Sequence, residues 1–217
     1  MKYSKFRIKR AYRKEIEYAI NKFMTDYPVT DEIVEIMHCR KVSKDNEDSF
    51  ATTKILLGEG IHYEVKLNPK VFSRSNIKTK LQSVTGANYE SISDIIYHEF
   101  GHCLQAFMLC SKWNLNIKDC TYDNFYKYKH LDRCKQSEEE YTNYFDPFLK
   151  KYGWNRDKVV MHLGSYAADN SFEMLPECFN NYYRLKEKQH LDFVEQETYN
   201  FVKTVIDDYG KYIPKEI

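Results

Sequence analysis

The chain of 217 residues carries 33 basic and 32 acidic side chains, and a formal net charge of +1 gives neither nucleic acid nor an anionic membrane a surface to hold. With 42% hydrophobic and 30% charged residues it has the balance of a folded globular protein, long enough to bury a core without staples. The N-terminal residues are polar and basic, no apolar run of secretory or membrane-spanning length follows, and six cysteines without a CxxC pair read as reduced thiols, so the expectation is a cytoplasmic protein.

Between Ala11 and Met24, Ile16, Ala19, Ile20 and Phe23 recur at helical spacing, and Pro28 closes the helix they predict. From Asp31 to Pro69, short β-branched runs replace that period. Glu32–Arg40, Ala51–Leu57 and Ile61–Leu67 read as strands, and Gly58-Glu59-Gly60 predicts a hairpin between the last two. In the third run Ile61, Tyr63, Val65 and Leu67 alternate with His62, Glu64 and Lys66. That is the pattern of a half-buried strand, and with Pro69 after it the strand is expected at a sheet edge.

Beyond Ser91 the chain reads helical. Ser91 or Ser93 caps a helix carrying Ile92, Ile95, Ile96, Phe100, Cys103, Leu104 and Phe107. The Tyr-rich segment 111–160, with Glu138, Glu139 and Glu140, reads as a helical insertion. Two more helices are expected, from about Asn170 or Ser171 to Lys188 and from about Leu191 to Tyr209. The expected fold is α+β in one domain spanning 1–217: a helix and a small mixed or antiparallel sheet in 1–75, a central helix over 91–110, the insertion, and a glutamate-bearing helix and a C-terminal helix within 165–217.

The central helix carries His98-Glu99-Phe100-Gly101-His102. Residues four apart on a helix share a face, so both imidazoles reach one ion, with Glu99 beside them as a base for water. The apolar neighbours Ile95, Ile96, Leu104 and Phe107 mark an interior helix. Gly101 costs about 1 kcal/mol of helix propensity against alanine, which fits close approach of another element near the ion. A catalytic zinc takes three protein ligands, and His-His-Glu is a common set. Downstream, Glu173 and Glu177 stand one helical turn apart among Phe172, Met174, Leu175 and Phe179, so one carboxylate can bind the ion while the other backs a ligand imidazole.

His-Glu-Phe-Gly-His followed by Ser165-Tyr166-Ala167-x-x-Asn170-x-x-Glu173-x-x-x-Glu177-x-Phe179 resembles the gluzincin metallopeptidases, a zincin-like group that includes catalytic domains of the anthrax lethal factor type and small phage-encoded relatives. The resemblance covers about a quarter of the chain. It implies one zinc ion on His98, His102 and Glu173, Glu99 as general base and then acid, Glu177 behind a ligand imidazole, and Tyr166 as hydrogen-bond donor to the developing oxyanion. It also implies a peptide or protein substrate, received along the candidate edge strand with Ile61, Tyr63 and Val65, and an additional virion-associated location if the chain is phage-encoded. One position departs from the pattern: Pro176 stands where the family carries a small residue. A proline past the first turn removes a helix hydrogen bond, which bears directly on where Glu177 sits.

A different class of function is a binding or assembly protein whose zinc site is structural or vestigial. Such a protein needs neither Glu99 nor Tyr166. A third reading, a regulator that cleaves a repressor, keeps the chemistry and changes the partner. The remaining histidines lack a partner pattern; His162, four residues before Tyr166, is a candidate for lining the cleft, and His62 reads as solvated.

Overall fold

The computed structural model describes residues 2–4, 10–39, 49–58, 60–72, 81, 89–120 and 133–215. Four strands, β1 (Lys2–Ser4), β2 (Val34–Cys39), β3 (Ala51–Gly58) and β4 (Gly60–Leu67), form one mixed sheet in the order β1-β2-β4-β3. β1 pairs parallel with β2 and β2 parallel with β4, whereas β3 and β4 form the expected antiparallel hairpin, with Ala51 opposite Leu67 and Gly58 opposite Gly60. With the helices that follow, the fold is α+β.

The edge assignment is corrected. β4 lies inside the sheet, bonded on both sides, and the edges are β1 and β3. Alternation reports that two faces of a strand meet different surroundings, not whether the strand has one neighbour or two. Ile61, Tyr63 and Val65 are buried, at 2%, 4% and 0% exposure, as part of the core and not as a lip for substrate. Pro69 opens a short helix instead of closing an edge. The run read as a strand from Glu32 begins later, because Val29–Ile33 form a helical turn. Strand β1 came with no signal in the sequence. Arg40, Glu59 and the part of the insertion over 121–132 lie outside the described residues.

The helices are α1 (Arg10–Asp26), α2 (Val29–Ile33), α3 (Pro69–Phe72), α4 (Ile92–Lys112), α5 (Arg133–Tyr152), α6 (Arg156–Leu163), α7 (Ser165–Asp169), α8 (Ser171–Lys186) and α9 (Phe193–Tyr209). None among the described residues is long and apolar enough to cross a membrane. The central helix, α4, is buried from Ile92 through Gly101 without a break. It starts at Ser91, whose hydroxyl accepts from the Asp94 N–H while the Asp94 carboxylate accepts from the N–H groups of Ser91 and Glu90. Burial pushes the Asp94 carboxyl up to about 6, against the pull of those N–H donors and of the Ser91 hydroxyl.

Aromatic rings lock α1, α4 and α8 together. Phe23 meets Phe100 at 5.4 Å and Phe179 at 5.5 Å, and Tyr97 stacks on Tyr183 at 4.2 Å. All five rings are buried, each contributing about 1.5–3 kcal/mol of transfer free energy. The outcome is a fixed relation between the helix that carries the histidines and the helix that carries the two glutamates.

Candidate metal centre

His98 and His102 project from one face of α4, their ring centroids 4.9 Å apart. Facing them is the first turn of α8, capped by Asn170, whose side chain accepts from the Phe172 N–H. That turn delivers Glu173: its Oε2 lies 3.2 Å from His98 Nε2 and 3.3 Å from His102 Nε2. Among the described residues these three are the group whose ligand atoms converge, all lying within 4.8 Å of one another.

The convergence has the shape of a shared ligand. A tetrahedral zinc with bonds of about 2.0–2.2 Å sets neighbouring donors about 3.3–3.5 Å apart, and the spacings of 3.2 and 3.3 Å lie at the short end of that edge. Glu173 Oε2 is buried and makes no aligned hydrogen bond with either ring. The oxygen lies almost equally far from both ring nitrogens, the placement of a carboxylate that shares one ion with them. Two imidazole nitrogens and one carboxylate oxygen are the donor set a divalent zinc-type cation takes.

The electrostatics agree. Burial alone would lower the His98 pKa, but the carboxylates of Glu177, Glu173 and Glu99 outweigh it and raise it to about 10. Burial alone would likewise raise Glu173, but the two imidazoles hold its carboxyl well below the usual range. The pocket therefore keeps positive charge beside the carboxylates, where a cation would serve equally.

Glu99, 6% exposed, sits on the same helix. Its Oε2 accepts a 2.5 Å hydrogen bond from Thr53 Oγ1 of β3. Glu177 is fully buried behind His98, with Oε1 3.1 Å from the ring Nδ1 and Oε2 accepting from Asn180 Nδ2 at 3.1 Å. Pro176 does not displace it. The element that approaches Gly101 is this stretch of α8: a Cβ on Gly101 would lie 2.8 Å from Pro176 Cα.

Tyr166 lies on α7, 52% exposed, with no hydrogen bond to the cluster. His162 belongs elsewhere: it stacks on Trp154 at 4.3 Å, meets Thr198 Oγ1 through Nδ1 at 2.8 Å, and is lowered in pKa chiefly by burial. Cys103, Cys110, Cys120 and Cys178 are buried and form no disulfide, Cys110 Sγ lying 3.6 Å from Cys120 Sγ, and none belongs to the cluster.

Three residues at the site escaped sequence reasoning. Thr53 reaches Glu99 across 46 positions, which no local pattern reveals. Tyr89 sets its ring against His98 at 5.8 Å, and burial followed by the charges of Glu177, Glu99 and Glu173 raises its pKa. Gln105 places Oε1 2.9 Å from His102 Nδ1; its i+3 spacing was a usable signal. No protein-family model, no curated protein and no solved structure matches this chain.

Proposed function

We propose that the chain is a zinc-dependent endopeptidase of gluzincin type with a zincin-like fold. The observation that carries this reading is the convergence of His98, His102 and Glu173 on one point beside a carboxylate, Glu99, that is held but is not part of the converging set. A structural ion site has no use for that fourth group.

A zinc ion held by these residues would supply Lewis acidity, polarising a substrate carbonyl and lowering the pKa of water to about 7. Glu99 takes the proton from the attacking water through Oε1, because Oε2 is engaged by Thr53. The same oxygen then returns the proton to the departing amine. Tyr166 donates its phenolic hydrogen to the developing oxyanion; its exposure leaves it able to swing toward a bound substrate. Glu177 keeps the His98 ring oriented from behind.

The substrate is an extended peptide or protein segment lying along β3, the edge strand on which Thr53 already touches the base. Main-chain pairing to an open strand holds peptides without demanding particular side chains. Buried cysteines that form no disulfide fit a reducing, cytoplasmic setting.

The test is metal analysis of purified protein together with cleavage of denatured casein or a peptide library. One zinc per chain is expected, with hydrolysis falling about 100- to 10,000-fold in Glu99→Gln while zinc is retained. A folded protein that takes up no zinc, or unchanged cleavage by Glu99→Gln, would overturn the reading.

A further inference from the structure

Pro176 and Gln105 share one backbone carbonyl. In an unbroken helix the Phe172 carbonyl would accept from the N–H four residues on, at position 176, and proline has none to give. Gln105, on α4, donates Nε2–H to that same carbonyl. The lost helix bond is thus replaced from outside the helix, by the residue whose other amide atom touches a candidate metal ligand.

We infer that Gln105 is a positioning residue for the metal centre, and that Pro176 is what frees the carbonyl that aims it. The inference rests on the metal-binding reading above. A backbone carbonyl only accepts, so the Gln105 atom facing Phe172 is the NH2 group. Its Oε1 must then face His102, where it stands 2.9 Å from Nδ1. An amide oxygen only accepts, so Nδ1 carries a hydrogen and donates it. The Nε2 lone pair, on the side of Glu173, is left bare for an ion. Each step is forced by the one before it, starting from a proline.

The surroundings hold Gln105 still. Its own backbone carbonyl accepts from the Tyr141 hydroxyl at 2.6 Å and the Tyr209 hydroxyl at 3.2 Å, from α5 and α9. Gly101, one turn earlier on α4, lets the Pro176 backbone come close enough for the amide to span the gap. The two histidines are consequently backed by different chemistry, an anion behind His98 and a neutral amide behind His102. Glu173 follows Phe172 directly, so the same contact also ties the third ligand to the first two.

The test is zinc affinity by chelator competition, with the cobalt(II) absorption spectrum as a readout independent of hydrolysis. Gln105→Leu removes both amide contacts and is expected to weaken zinc about ten- to a hundredfold and to alter the cobalt bands. Gln105→Glu keeps an acceptor for His102 Nδ1 but loses the donor to Phe172, and is expected to stay within about threefold of wild type. Gln105→Met serves as the second non-polar variant should Leu fail to fold, with thermal unfolding of metal-free protein as the check. Wild-type affinity in both non-polar variants would overturn the inference. Glu behaving like Leu would overturn it too, by assigning the effect to the α8 contact alone. Pro176→Ala, which restores the helix N–H, is expected to weaken zinc in the Gln105 protein and to add little in Gln105→Leu; equal effects in both backgrounds would dissolve the pairing. If wild type binds neither zinc nor cobalt, the metal reading itself falls, and this inference with it.

Discussion

Gly101 and Pro176 pack backbone to backbone: a methyl group added to Gly101 would sit 2.8 Å from Pro176 Cα and 3.2 Å from the Phe179 ring. The glycine lies between the two histidines on α4, and the proline between the two glutamates on α8. Their contact therefore sets the distance between the halves of the centre. Gly101→Ala gains helix propensity but must push α8 away, because the nearest atom is backbone and cannot rotate aside. The expected outcome is a net loss of about 1–3 kcal/mol in denaturant unfolding, despite a gain of about 1 kcal/mol in propensity. Zinc affinity falls in parallel, as Glu173 moves with the helix.

What could be read in advance follows the range of each cause. The pairs His98/His102 and Glu173/Glu177 are one turn apart, and helical periodicity is a local property, so both ligand faces were legible. The helix start was legible for the same reason to within two candidates, Ser91 and Ser93, of which Ser91 is the cap; the Asp94 half of the cap was not read. The position of β4 in the sheet was not, because strand order depends on β1 and β2, which lie far off in sequence. Thr53 was hidden likewise: its hydroxyl acquires meaning only when β3 lies against α4. Pro176 was visible as a departure from the gluzincin pattern. Its purpose was not, since the group that replaces the missing N–H comes from 67 residues away in the Gln105–Phe172 contact.

Tyr166 and Tyr89 separate two ways of having a tyrosine near the centre. Tyr166 is half exposed on a short helix, and Tyr89 is held with its ring against His98. Tyr166→Phe removes only the hydroxyl proposed to serve the oxyanion, so kcat is expected to drop about 100- to 1,000-fold with KM and zinc content unchanged. Tyr89→Phe keeps the ring that packs on His98 and is expected to alter kcat far less. Steady-state kinetics on one peptide separates them; the reverse order would move the oxyanion role to Tyr89.

The proton on His98 makes the proposed metal binding depend on pH. In metal-free protein its pKa is raised from 6.5 to about 10, so near neutrality the ring is charged and must lose a proton to bind an ion. Apparent zinc affinity is expected to rise about tenfold per pH unit between pH 7 and 9. The stability of metal-free protein runs the other way. A raised folded pKa contributes stability that is fully present below about 6.5 and is lost as pH climbs through about 10. Glu173, lowered from 4.5, contributes stability present above that value and lost as pH falls below it. Chelator competition and thermal unfolding across pH 4–10, with and without zinc, check both slopes; a flat affinity between 7 and 9 would mean that His98 carries no proton to release.

Thr53 ties the base to the strand proposed to receive the substrate. Its hydroxyl donates to Glu99 Oε2 at 2.5 Å and lies 3.3 Å from the Glu99 backbone carbonyl, so it holds the carboxylate by one oxygen and leaves the other, Oε1, for the proposed proton transfer. Thr53→Val matches the shape and deletes the hydroxyl, leaving a nearly buried carboxylate oxygen without its donor. A cost of about 1–3 kcal/mol in stability is expected from that unsatisfied acceptor. The functional loss should fall on kcat, about 10- to 100-fold by analogy with a general base displaced from its proton, with zinc content and KM near wild type. Thr53→Ser restores the donor without the methyl and should recover most of kcat. A strand that merely shapes the cleft predicts the opposite split, with KM rising in both variants and serine giving no rescue.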